Sequence, residues 1–215
     1  MKVSASILSA DLADLAAESK RALDAGADMI HMDVMDGHFV PNLTFGAPLV
    51  KCLKKRLPQA VVDSHLMISD PEKYAPDFSR AGSDYILFHA EAVQDPRAVI
   101  QLIRSLGAKP GMVLNPDTPE DSVKPFAKDL DYVLFMSVFP GFAGQKFIPE
   151  VVPKVARFSA WCRSEGLHPE IGVDGGVSPA NAGPLVKAGA TLIIAASAIF
   201  QAPDMKAAIH AMKTA

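Results

Sequence analysis

Short apolar runs alternate with amphipathic stretches from one end of the chain to the other. The apolar runs predict eight strands: Val3–Leu8, Met29–Val34, Val61–Met67, Tyr85–His89, Lys109–Leu114, Tyr132–Ser137, Pro169–Asp174 and Thr191–Ala195. Between them, apolar residues recur at helical spacing, first as the stripe Leu12, Leu15, Ala16, Ser19, Ala22 and Leu23, then over Pro48–Arg56, Pro71–Ala81, Pro96–Leu106, Pro119–Ala127, Pro149–Ser164, Pro179–Ala188 and Pro203–Met212. Proline at or near the start of most of these segments is typical of a helix N-terminus.

Glycine marks several of the predicted helix-to-strand turns, as in Ala25-Gly26-Ala27-Asp28 and Ala188-Gly189-Ala190-Thr191. Glycine there supplies the left-handed residue that ends a helix and turns the chain back tightly. Such short turns between alternating elements indicate parallel strands with right-handed crossovers. A doubly wound open sheet is the alternative, but polar residues at the strand ends favour a barrel, where those ends converge on one site. We predict one (β/α)8 (TIM) barrel over residues 1–215.

Composition narrows the functional classes. The chain has 215 residues, of which 49% are hydrophobic, and a net charge of −3 without long blocks of either sign. There is thus no electrostatic case for nucleic acid or an anionic membrane as a partner. No apolar run approaches transmembrane length, and the N-terminus lacks the apolar core of a signal peptide. The two cysteines form neither a disulfide framework nor a metal-ligand spacing. We expect a cytoplasmic globular protein.

Polar residues gather at the ends of three predicted strands. Strand alternation places His31, Asp33 and Met35 on one face of the second strand, and His65 and Met67 on one face of the third; the seventh ends at Asp174. Inward histidine and aspartate are costly unless they are paired or bound to a metal. A solvated hydrogen-bonded pair is the alternative for any one strand. Together, His31, Asp33, His65 and Asp174 predict a site for one divalent ion such as zinc, iron, manganese or cobalt.

Two further segments are typical of phosphate binding. Gly141, Phe142, Ala143 and Gly144 follow the sixth strand, where glycines let backbone amides approach an anion. Gly175-Gly176 and Ala196-Ser197 follow the seventh and eighth strands, where barrels most often hold phosphate. Met35, Met67 and Met136 are expected to line the site, with plain core packing as the alternative. His38 and His89 are expected near the mouth, with no chemistry assigned. No dinucleotide fingerprint is present, so we expect no organic cofactor.

These motifs resemble the ribulose-phosphate 3-epimerase family over essentially the whole chain. The resemblance is carried by Ser6-Ile7-Leu8-Ser9-Ala10-Asp11, by the run from His31 to Asn42, by His65-Leu66-Met67, by Pro140-Gly141-Phe142-Ala143-Gly144-Gln145 and by Val173-Asp174-Gly175-Gly176-Val177. It implies a barrel that epimerises D-ribulose 5-phosphate and D-xylulose 5-phosphate in the pentose phosphate pathway. It also implies His31, Asp33, His65 and Asp174 as metal ligands, Asp33 and Asp174 as the acid/base pair, and substrate contacts at Ser6, His65, the Gly141–Gly144 loop, Gly175, Gly176, Ala196 and Ser197. We also expect a homo-oligomer.

Some positions depart from the family pattern and leave alternatives open. Ala143 and Ala196 stand where glycine is common, Ala5 where proline is usual, and Phe139 where a polar residue is usual. Epimerases of ketohexose 6-phosphates, such as allulose 6-phosphate, also carry alanine in the phosphate loop, so this substrate class is one alternative. A non-catalytic sugar-phosphate-binding barrel is another. A lyase or decarboxylase is disfavoured because no lysine lies between Asp33 and Asp36.

Overall fold

Every predicted strand forms, and the eight strands pair in parallel in chain order. β8 returns to β1, so the predicted closed barrel is confirmed. The computed structural model describes all residues from 1 to 215. Its strands are β1 (Lys2–Ser6), β2 (Met29–Met35), β3 (Val62–Met67), β4 (Tyr85–His89), β5 (Lys109–Leu114), β6 (Tyr132–Met136), β7 (Glu170–Asp174) and β8 (Leu192–Ala195).

The helices cover the outside of the barrel. They are α1 (Leu15–Asp24), α2 (Ala47–Arg56), α3 (Pro71–Ala81), α4 (Pro96–Ser105), α5 (Val151–Ser164), α6 (Pro179–Ala188), the short α7 (Ser197–Phe200) and α8 (Met205–Lys213). Aspartates cap three of them: the side chains of Asp70, Asp95 and Asp204 accept hydrogen bonds from amides in the first turns of α3, α4 and α8. None of these helices combines the length and the apolar character needed to span a lipid bilayer.

Two sequence predictions are corrected by the structure. The α-helix expected over Pro119–Ala127 is absent, and two 3-10 helices, Glu120–Ser122 and Lys124–Asp129, connect β5 to β6 instead. Pro125, in the interior of the expected helix, lacks the amide hydrogen that a continuous α-helix would use there. The first strand ends at Ser6 rather than Leu8, because the chain turns into a 3-10 helix whose Leu8 amide donates to the Ser6 hydroxyl.

Strand alternation divides the buried residues into two cores. Val133 and Phe135 of β6 face outward into the large core between barrel and helices, whereas Tyr132, Leu134 and Met136 belong to a smaller core inside the barrel. Tyr132 fills the barrel floor so closely that a Cβ on Gly172 would lie 2.6 Å from its ring. The amino-terminal half of the barrel interior is therefore solid, and open space is left at the carboxyl ends of the strands.

Candidate active site

The register between β2 and β3 sets the polar residues side by side. His31 is the partner of Asp63 and Asp33 is the partner of His65, so one face of both strands points the four polar side chains into the barrel. Asp174, the last residue of β7, completes the group from the other side. The structure thus brings together the four residues predicted to hold a metal.

The donor atoms of these residues converge on one small volume. His31 Nε2 lies 3.3 Å from Asp33 Oδ1 and 3.3 Å from His65 Nδ1, and His65 Nδ1 lies 3.4 Å from Asp33 Oδ1. Asp174 Oδ2 is 3.8 Å from both imidazole nitrogens. One ligand atom from each residue lies within 4.8 Å of all the others.

This donor set fits a divalent ion. Ligand atoms about 2.0–2.2 Å from a tetrahedral ion lie roughly 3.3–3.6 Å apart, close to the spacings found among these residues. His31 Nδ1 lies 2.7 Å from Asp63 Oδ2, a contact that holds a proton on Nδ1 and turns Nε2 toward the other donors. Two imidazoles with two carboxylates suit zinc, iron, manganese or cobalt.

The electrostatics of the ion-free group show that it attracts positive charge. Burial opposes protonation of His31, but Asp63 and Asp33 outweigh it and raise the pKa of His31 well above its usual range. Burial likewise opposes ionisation of Asp33, yet His31 and His65 lower the pKa of that carboxyl. Burial and the neighbouring Asp33 carboxylate raise the pKa of Asp174 to about 7. Burial lowers the pKa of His65 to about 3, so this imidazole is neutral.

A cavity of about 460 Å³ opens in front of these residues at the carboxyl ends of the strands. Asp33 and Asp174 both line it, whereas His31 and His65 have no exposed surface and lie behind the carboxylates. The other predicted site residues that line the cavity are Ser6, the three methionines Met35, Met67 and Met136, the loop residues Gly141, Phe142, Ala143 and Gly144, and Gly175, Gly176, Ala196 and Ser197.

The far end of the cavity is formed mainly by backbone. Gly175 and Gly176 have φ of 115° and 63°, a region open to glycine at little cost. A Cβ on Gly176 would lie 2.7 Å from the Gln145 carbonyl oxygen, so the loops after β6 and β7 pack directly against each other. Gln145 closes the first of these loops by donating its side-chain amide to the Phe139 and Phe142 carbonyls.

Neither alanine at the two unusual loop positions lies in the left-handed region. Positive φ in this chain is confined to glycines, so Ala143 has a negative φ, and Ala196 has φ −107°. Each alanine therefore offers its amide as glycine would, without the penalty of the left-handed region. Phe139 and Phe142 are 52% and 57% exposed at the rim of the mouth.

Several residues that sequence reasoning left without a role support the site. Asp63 holds His31 and accepts a second hydrogen bond, of 3.0 Å, from Ser4. His89, for which no chemistry was predicted, is fully buried with Nε2 2.9 Å from His65 Nε2. Its Nδ1 lies 3.1 Å from Glu91. The available signal was the spacing of two residues in Asp63–His65, which puts both side chains on one face of β3, and the same spacing in His89–Glu91, where β4 ends.

Comparisons with known proteins agree with the geometry. The model of the family described as Ribulose-phosphate 3 epimerase family matches residues 2–200. The chain is 48% identical over 214 residues to the ribulose-phosphate 3-epimerase of Synechocystis sp., covering 98% of this chain and 92% of that protein. It is 45% identical over 214 residues to the ribulose-phosphate 3-epimerase of Bacillus subtilis, covering 99% of this chain and 98% of that protein.

Solved structures extend the fold comparison. The 3-hexulose-6-phosphate synthase from Salmonella typhimurium superposes with a TM-score of 0.72 at 16% identity, covering 100% of this chain and 97% of that chain. At that level of identity, the likeness concerns the barrel alone.

Proposed function

The chain belongs to the ribulose-phosphate 3-epimerase family and is an epimerase, and from that membership we propose that it interconverts D-ribulose 5-phosphate and D-xylulose 5-phosphate by inversion at C3. The proposed setting is the pentose phosphate pathway. A cytoplasmic location and a homo-oligomeric state stay predictions; light scattering of the purified chain measures the second.

One observation carries the mechanistic proposal: Asp33 and Asp174 line the same cavity from different strands, and both also face the two buried imidazoles. Inversion at a carbon beside a ketone needs one group to remove the C3 proton and another to deliver a proton to the opposite face. Two carboxylates that line one cavity suffice for this exchange. A barrel that only bound sugar phosphates would have no use for them.

His31, Asp33, His65 and Asp174 are the residues proposed to hold a divalent ion. When bound, such an ion supplies a Lewis acid that stabilises negative charge developing on the substrate oxygens. His31 and His65 are fully buried and contribute only nitrogen donors. The two carboxylates are thus the members of the group that also reach the substrate.

The two carboxylates have different environments, which supports distinct roles. Asp33 has a lowered pKa and accepts a 2.5 Å hydrogen bond from the Ser6 hydroxyl, which orients it as the ionised base. In the ion-free group, burial and the Asp33 carboxylate raise the pKa of Asp174 to about 7, in the opposite direction to that of Asp33. Pairs of groups whose pKa values are driven apart in this way are typical of acid–base sites. The roles exchange in the reverse reaction.

The phosphate is proposed to bind at the backbone-lined end of the cavity. Gly141–Gly144, Gly175, Gly176, Ala196 and Ser197 lie there, and no lysine or arginine lines the cavity. Backbone amides at glycine-rich turns form anion-binding concavities without a side-chain cation. This arrangement fixes the sugar with its C3 toward the carboxylates, which is how remote binding energy lowers the barrier at the reacting carbon.

Chelation tests the metal and mechanism together. We expect the verified metal-free protein to lose epimerase activity in a coupled assay with ribulose 5-phosphate, and to regain it with zinc, manganese, iron or cobalt. Full activity without metal would overturn the metal-dependent mechanism.

The same assay tests the length of the substrate. The relatives named as ribulose-phosphate 3-epimerases support the pentulose, whereas Ala143 motivates a parallel measurement with a ketohexose 6-phosphate such as allulose 6-phosphate. We expect the higher kcat/KM with ribulose 5-phosphate. A clear preference for the six-carbon substrate would retain the chemistry and replace the substrate.

A further inference from the structure

A continuous chain of hydrogen bonds runs from the surface to the buried imidazole of His65. Glu91 Oε2 contacts His89 Nδ1 at 3.1 Å, and His89 Nε2 contacts His65 Nε2 at 2.9 Å. The centroids of the two rings are 5.0 Å apart and their planes are inclined by 23°. Both histidines are fully buried. Glu91 is exposed as a residue, although its side chain is only 24% exposed. Glu91 is therefore the end of this series of hydrogen bonds that lies nearest the surface.

The partners of Glu91 define the direction of every hydrogen bond between Glu91 and His65. Glu91 Oε1 accepts from the Asn115 backbone amide at 2.8 Å and from the Thr118 hydroxyl. An ionised carboxylate only accepts, so His89 Nδ1 must carry a proton and donate it to Glu91. A neutral imidazole has one proton, which leaves His89 Nε2 as an acceptor. The proton between the two rings then belongs to His65 Nε2.

The consequence lies at the other nitrogen of His65. With its proton on Nε2, the His65 Nδ1 lone pair is free and faces His31 Nε2 and Asp33 Oδ1 at 3.3 and 3.4 Å. We propose that Glu91, acting through His89, is a positioning residue that holds His65 in the one tautomer able to bind a metal ion through Nδ1. This inference rests on the proposed metal-dependent function. In this proposal Glu91 fixes the tautomer of His65, as Asp63 fixes that of His31.

Glu91→Gln is expected to reverse the direction of each hydrogen bond between residue 91 and His65, while the shape of the side chain is preserved. The Asn115 amide can only donate, so the new side-chain oxygen stays with Asn115 and Thr118, and the new NH2 group faces His89 Nδ1. His89 must then accept at Nδ1 and donate from Nε2, and His65 must accept at Nε2 and carry its proton on Nδ1. That proton lies where the metal would bind.

The experiment measures tautomer and metal affinity in the full chain. With ¹⁵N-labelled histidine, NMR of the metal-free wild-type protein is expected to show His65 protonated at Nε2, and Glu91→Gln is expected to move that proton to Nδ1. Zinc affinity, measured by competition with a chelating dye, is expected to fall about 10–100-fold. Glu120→Gln is the matched control, because the Glu120 carboxylate also accepts side-chain hydrogen bonds but pairs with Arg157 instead of a histidine. Its zinc affinity should stay within about twofold of wild type.

Two variants at His89 distinguish the effect of hydrogen-bond direction from the effect of side-chain packing. His89→Gln keeps an acceptor toward His65 and a donor toward Glu91, whereas His89→Leu keeps only bulk. We expect His89→Gln to retain more zinc affinity than His89→Leu. A wild-type His65 protonated at Nδ1, or normal zinc binding by Glu91→Gln, would overturn the positioning role alone. A wild-type chain that bound none of zinc, iron, manganese and cobalt would overturn the metal-dependent function and this role with it.

Discussion

The two ends of the cavity are built from different parts of the polypeptide. At one end lies Asp33, with His31 and His65 behind it; all three project from the middle of strands, are almost fully buried, and are held by other buried side chains. At the other end, glycines with positive φ present backbone from loops, and neighbouring residues such as Phe142 are largely exposed. The first end depends on which side chains are present, and the second depends on which conformations the backbone can adopt.

This difference follows from what each end must do. Transferring a proton and holding an ion need groups of defined charge in fixed positions, which strands surrounded by a packed core provide. Holding a phosphate needs several amides directed at one anion, which tight turns provide without any particular side chain. Substitutions that change only a functional group should therefore be severe at the first end, and substitutions that change only a loop side chain should be mild at the second.

The largest expected effect is at the carboxylates. Asp33→Asn and Asp174→Asn should each lower kcat by about 10²–10⁴-fold, because each removes one acid–base group while preserving shape. Steady-state kinetics with the zinc content of each sample measured alongside will separate lost chemistry from lost metal. Asp131→Asn is the control: Asp131 pairs with Arg104 beside the first residue of β6, at the opposite end of the barrel, and should leave activity unchanged.

Deuterated water sharpens this prediction. A metal-loaded single variant that keeps one working carboxylate is expected to exchange the C3 hydrogen of one epimer without inverting it. NMR of the recovered substrate detects that exchange. Wild-type turnover in both metal-loaded variants would exclude the two-carboxylate mechanism and with it the distinction drawn between the ends.

The next effect concerns the substrate's phosphate. Unphosphorylated ribulose should have a kcat/KM at least about 10²-fold below that of ribulose 5-phosphate, because it forgoes the amide contacts that position C3. Inorganic phosphate and sulfate should inhibit competitively with millimolar constants, since they occupy only one end of the cavity. A ribulose kcat/KM within tenfold of the phosphorylated substrate would contradict a phosphate site at the glycine loops.

The same contrast explains which parts of the fold and of the site could be predicted from the sequence. The inward positions of His31, Asp33 and His65 follow from strand alternation alone, and the closed barrel follows from eight β–α units with polar strand ends. The 3-10 connection after β5 was missed because apolar spacing resembled a helix, while Pro125 removed a hydrogen bond that a continuous helix requires.

The supporting residues could not be assigned from sequence for a different reason. His89 and Glu91 act across strands, and whether a histidine on an apolar strand reaches a partner depends on register and side-chain direction between β3 and β4. The negative φ of Ala143 and Ala196 is likewise a property of the folded loops, since alanine is compatible with many turns. These contacts arise only once the barrel has closed.

A smaller effect is expected from a pair of loop glycines that differ in packing. Gly176 and Gly144 have similar φ, 63° and 78°, but a Cβ on Gly176 would meet backbone of Gln145 and Phe147 at 2.7–2.8 Å, whereas a Cβ on Gly144 would meet nothing within 4 Å. Gly144→Ala should lower stability by about 1 kcal/mol through strain alone. Gly176→Ala should cost clearly more and also raise KM several-fold. Thermal denaturation and kinetics of both variants measure the difference, and equal effects would show that contact between the loops is unimportant.

The smallest effect is expected at Lys146, the cation nearest to the phosphate loop in sequence. Lys146 is exposed, and the residues lining the cavity stop at Gln145 on this loop. A solvated charge outside the cavity interacts only weakly with the phosphate at physiological salt, where the screening length is about 8 Å. Lys146→Ala should therefore change KM for ribulose 5-phosphate by no more than roughly twofold, with kcat unchanged. Kinetics at low and high salt provide the check, because any residual effect should disappear as salt rises. A tenfold increase in KM that persists in high salt would place a side-chain cation in the phosphate site and end the contrast between a side-chain end and a backbone end.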